Sequence, residues 1–147
     1  MYNQRNRNRQ PAAAITEDEI KQIRHIIADS DGAPALVSFA DTLGKRLVRE
    51  GLKANQIRAI FDEVRQIESL WLQDEEQARH KVHLLKPKLA YRAARSTEGV
   101  PTLKGVLTPA IDVVVENPDL AKERFLRFTE FFEAIIAYHK AHGGKDK

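Results

Sequence analysis

The chain has no cysteine, which excludes disulfides, thiolate metal sites and a cysteine nucleophile. No apolar run approaches the ~20 residues needed to cross a bilayer. No apolar stretch follows Arg5, Arg7 and Arg9, so no secretory leader is expected. There is no Gly-x-Gly-x-x-Gly and no Walker loop among the 7 glycines, which excludes the common glycine-rich phosphate cradles. The serines, Ser30, Ser38, Ser69 and Ser96, sit in no nucleophile elbow. Period-two alternation is absent, so no strand is expected, and no internal repeat is found.

What is present is charge and helical periodicity. The 147 residues fit one domain of ordinary size. A 42% hydrophobic and 31% charged composition suits a globular fold with a highly charged surface. The net charge is only +3, but it is unevenly spread. From Arg79 to Lys104 there are seven Lys or Arg against one acid, Glu98. From Asp112 to Lys147 there are six bases against seven acids. A mid-chain concentration of cations is the footprint expected of a polyanion-binding surface.

Residues 1–14 read as a disordered basic tail, and residues 15–144 as a single helical domain. Thr16 and Glu19 form a capping box before a helix carrying Ile20, Ile23, Ile26 and Ile27, which Asp29–Gly32 ends. Pro34 opens a second helix with Leu36, Val37, Phe39, Ala40, Leu43, Leu47 and Val48 at helical spacing, and Gly51 ends it. The third repeats Ile57, Ile60, Phe61, Val64, Ile67, Leu70 and Trp71 at intervals of 3 and 4. It is expected to run on toward Leu84 and to break near Leu85–Lys86, with Pro87 opening a new helix. Ser96–Pro101 reads as a loop. Another helix is expected from Thr102 to about Glu116, with Pro109 as a point of kinking. Asn117 and Pro118 are expected to start the last helix, which carries Phe125, Phe128, Phe131 and Phe132 and ends at Gly143–Gly144. The expected fold is all-α, a compact bundle of five or six helices.

Within residues 85–95, Lys88, Tyr91, Arg92 and Arg95 share one helical face. Leu89, Ala90, Ala93 and Ala94 fall on the other, smooth enough for another helix to approach. A cationic stripe with an aromatic ring suits backbone contact with nucleic acid. On the residues alone, a solvated basic face is an equal alternative, and Tyr91 either stacks on a base or packs into the bundle. Glu76, His80 and His83 stand at i, i+4 and i+7, but this set is one ligand short of a closed site. A polar surface is the preferred reading, so no metal or cofactor is expected. His139 and His142 are expected to complement the last helix's C-terminal dipole. A ribonuclease built on scattered histidines has no fixed spacing to search for. The expectation is a non-enzymatic protein.

Three segments together resemble one family. They are Gln56–Arg65 (QIRAIFDEVR), Leu85–Arg95 (LKPKLAYRAAR) and Phe128–Lys140 (FTEFFEAIIAYHK). In order and spacing they resemble the small helical subunit of the type III-A CRISPR effector complex. The resemblance implies a cytoplasmic, non-catalytic subunit of an antiviral ribonucleoprotein, with no membrane partner and no cofactor. Its partners would be target RNA and the guide–target duplex, the other subunits of the complex, and copies of itself stacked head to tail. Arg58, Lys86, Lys88 and Arg95 match the family's basic positions, and Tyr91 and Arg92 lie on the same basic helix. Two departures stand out. Relatives often carry Thr or Ser before the Gln, whereas here Ala54-Asn55 leaves Asn55 to cap the helix. A second basic residue often follows the Arg, where this chain has Ala59. The competing expectation is a protein–protein adaptor with no RNA contact.

Overall fold

The computed structural model describes residues 15–147; the expected tail, residues 1–14, lies outside the described residues. The Thr16 hydroxyl accepts from the Glu19 N–H at 3.1 Å, and the Glu19 carboxylate accepts from the Thr16 N–H at 2.9 Å. This reciprocal cap starts α1, Glu17–Ala28. α2 spans Ala33–Arg49 with Pro34 in its first turn, and Gly51 turns the chain away at φ 87°. α3 spans Ala54–Leu70, α4 Glu75–Ala94 and α5 Val100–Val115. A 3-10 turn, Pro118–Leu120, leads into α6, Ala121–Ala141. The all-α expectation holds: among the described residues there are six α-helices and no strand.

α6 is the axis of the bundle, packed against α1, α2, α3 and α5, while α4 bridges α3 and α5. Phe125, Phe128, Phe131 and Phe132 are all buried on it. They meet Phe39 of α2, Phe61 of α3 and Trp71 at ring-centroid distances of 5.7, 5.0 and 5.9 Å. A helix surrounded by partners needs apolar residues on most of its circumference, which explains the breadth of its phenylalanine face. α2 and α6 cross at Gly44, where a Cβ would stand 2.8 Å from the His139 backbone nitrogen. No helix among the described residues is long and apolar enough to cross a membrane.

Several local expectations are corrected. α3 ends at Leu70, and the break falls at Trp71–Gln73 rather than at Lys86. Asp74 is the reason: its carboxylate accepts from the Gln77 N–H at 3.1 Å and starts a fresh helix. α4 then runs through Pro87 without a break. Pro87 is exposed, while Ala78, Val82, Leu85 and Leu89 form a continuous buried stripe. That packing outweighs the lost hydrogen bond of an interior proline. Ala90 and Ala94 belong to the exposed surface, not to the packed face.

Asn55 does not cap α3. The Ala54 and Asn55 N–H groups donate to the carbonyls of Lys145 and Asp146 at 2.8 and 3.2 Å, and Gln56 Oε1 accepts from the Lys53 N–H at 3.0 Å. The C-terminal segment thus supplies the cap. Asn117 caps the 3-10 turn, accepting from Asp119 N–H at 3.0 Å, and α6 itself starts three residues later than expected.

Candidate nucleic-acid interface

The unbroken α4 carries its basic face past the start of α3 and forms a groove with it. Lys88, Tyr91, Arg92 and Arg95 line one wall, and Gln56, Ile60 and Glu63 of α3 line the other. The groove holds about 580 Å³ and closes at the 96–99 turn, with Ser96 and Val100 at its end. Both walls follow helical periodicity, since 56, 60 and 63 stand at i, i+4 and i+7.

Its electrostatics are positive but not uniformly so. Lys88 Nζ lies 3.4 Å from Glu63 Oε1. Three cations against that one carboxylate leave a balance of +2. Arg92 makes no ion pair among the described residues. Tyr91 is 62% exposed, so it does not pack into the bundle. Its hydroxyl accepts from Arg95 at 2.7 Å, and the Arg95 guanidinium lies 5.4 Å from its ring centroid. The pair fixes a planar aromatic surface beside a cation at the groove's rim. An exposed ring so held can stack on a base, and the flanking cations can hold phosphates.

Two of the six expected residues are not in the groove. Lys86 leaves α4 on another side and pairs with Asp112 of α5 at 2.6 Å. Arg58 is exposed on α3, about 200° around the helix from Gln56. Glu63 is the groove residue that the sequence reading missed. Nothing in the linear spacing of 63 and 88 announces their contact.

The histidines divide differently from expectation. His139 is not a surface complement to the helix dipole: it is 1% exposed, and its Nε2 donates to the Leu52 carbonyl at 2.6 Å. Gly144 packs directly on the ring, leaving no room for a Cβ. His142 Nε2 lies 2.6 Å from Asp41 Oδ1. His142 is the C-cap of α6, at the helix end as expected, and His25 stands likewise in the last turn of α1. The hydrogen bond of His25 to Asp29, 2.7 Å, raises its pKa. Glu76, His80 and His83 are exposed and do not converge; among the described residues the converging group is His25, Asp29 and Asp31.

The Csm2 type III-A family profile matches residues 30–145, which takes in the groove and the helices from α2 to α6. The chain belongs to the Csm2 type III-A family. It is therefore a small subunit of the type III-A CRISPR effector complex, in a family of structural rather than catalytic subunits, and it associates with the other subunits of that complex. No curated protein and no solved structure gives a significant match. All three segments that carried the sequence resemblance lie inside the matched range.

Proposed function

We propose that this Csm2-family chain is a non-catalytic filament subunit that lines the channel in which target RNA pairs with the guide, and so contributes to antiviral defence. The observation that carries the reading is the convergence of Lys88, Tyr91, Arg92 and Arg95 in one open groove with a balance of +2. Base pairing reads sequence in such a complex, so the subunit needs only to grip backbone and shape. Two exposed cations, the half-buried Arg92 and one exposed ring suit that task and require no base-edge recognition.

Stacking of copies along a filament is part of the same proposal. It is supported by a second, apolar groove at the far end of the bundle, where Leu72 is 85% and Leu126 55% exposed beside Trp71. Exposed leucines of this extent mark protein contacts. They also give the adaptor reading its specific support, at that end only. Ultraviolet crosslinking in the assembled complex separates the two. Tyr91 crosslinks to RNA if the groove lines the channel and to a neighbouring subunit if the chain is an adaptor alone.

A further inference from the structure

A second group of cations flanks the other side of the 96–99 turn. Arg49 at the end of α2, Lys53 before α3 and Lys145 in the C-terminal segment line a cleft of about 360 Å³. None of the three makes an ion pair among the described residues. That sets them apart from Arg24, Lys86, Lys122 and Arg124, each of which has a carboxylate partner. The Glu50 carboxylate does not serve them. It accepts from Arg46 at 2.8 Å and from the Thr102 hydroxyl at 2.6 Å. Glu98 is the one lining acid with no ion pair; the three cations stand against it and the already paired Glu50, a balance of +1. Like charges gathered in this way repel one another until an anion joins them.

The cleft adjoins the basic groove. Lys53 lines the cleft and Gln56, three residues on, lines the groove; Glu98 lines the cleft and Ser96 lines the groove. Gly51 and Gly143, both at positive φ, turn the chain here without side chains. None of the large exposed hydrophobics lies in the cleft: Leu52 is buried and Val48 half-buried. It therefore lacks the apolar centre of a protein–protein contact and has the cations of a phosphate contact.

We propose that the Arg49–Lys53–Lys145 cleft is a second phosphate-backbone site, continuing the groove so that one RNA strand crosses the 96–99 turn and touches both. The inference rests on the RNA reading of the groove. Glu98 then stands against the strand and weakens its binding.

The test uses reconstituted effector complex and a labelled single-stranded RNA complementary to the guide, titrated over a range of salt. The arms are wild type, Arg49→Ala/Lys53→Ala/Lys145→Ala, Lys88→Ala/Arg92→Ala/Arg95→Ala, and Glu98→Gln. Lys145→Ala keeps the carbonyl that caps Ala54, and Lys53→Ala keeps the N–H bonded to Gln56, so the fold is preserved. The expected result is RNA affinity weakened roughly tenfold or more by the cleft variant, with a log–log salt slope shallower by about 2. Glu98→Gln is expected to bind more tightly. A cleft variant with wild-type affinity and slope, beside a weakened groove variant, overturns the cleft and leaves the groove standing. Wild-type behaviour of both triple variants overturns both. A cleft variant that fails to enter the complex assigns the cleft to a protein contact and overturns it as well.

Discussion

The buried imidazole of His139 donates from Nε2 to the carbonyl oxygen of Leu52 at 2.6 Å, tying the end of α6 to the turn between α2 and α3. That turn leads directly into the α3 wall of the groove. His139→Leu keeps the bulk but leaves a buried carbonyl without its donor, which costs about 1–3 kcal/mol. Chemical denaturation should read this as a lower midpoint with an unchanged m-value. A midpoint equal to that of wild type would mean that water or a neighbouring group takes over the bond.

Glu116 joins three helices. Arg24 Nη1 and Nη2 donate to it at 2.7 and 2.6 Å, and Arg124 Nη1 at 3.0 Å. The Arg24 hydrogen bonds, followed by that of Arg124, lower its pKa from 4.5 to about 2. A depressed carboxylate stabilises the fold above its unfolded pKa. The contribution is complete above pH 4.5 and is lost as pH falls toward 2. Glu116→Gln should lose less stability than wild type over that window, measured as thermal midpoint against pH. Parallel curves would place the acid sensitivity elsewhere.

Pro87 is tolerated inside α4, not required by it. Replacing it with alanine restores an N–H able to donate to the His83 carbonyl one turn back and should stabilise the protein by about 1–3 kcal/mol. A calorimetric midpoint that rises checks this. A fall would mean that the proline ring is part of the packing of the groove wall.

Much of the fold was legible in the sequence because its signals are local. The Thr16–Glu19 capping box, Pro34, Gly51 and the spacing of the α3 and α6 apolar residues all place elements where they occur. The misplaced break had a signal too. Asp74 with Gln77 three residues later, followed by acids in the first turn, is a helix start. Pro87 is a stronger local signal, and only the buried stripe of Val82, Leu85 and Leu89 overrules it. Four of the six candidate site residues share the groove because helical spacing alone groups them. Lys86 and Arg58 were carried by family position, which does not fix the face on which a side chain emerges. Glu63 and Lys88, like Lys145 and the neighbouring Arg49 and Lys53, come from distant segments, and only the tertiary fold brings them together.

The central claim is that the α4 groove holds the RNA backbone. It is tested most directly by the affinity of the assembled complex for target RNA, measured against salt concentration, with wild-type subunit and with Lys88→Ala/Arg92→Ala/Arg95→Ala. All three side chains are at or near the surface, so the thermal midpoint of the variant should stay within about 2 °C of wild type. The account predicts weaker binding and a log–log slope shallower by about 2, the share of three single-strand phosphate contacts. An unchanged affinity and slope in a fully assembled complex would contradict it.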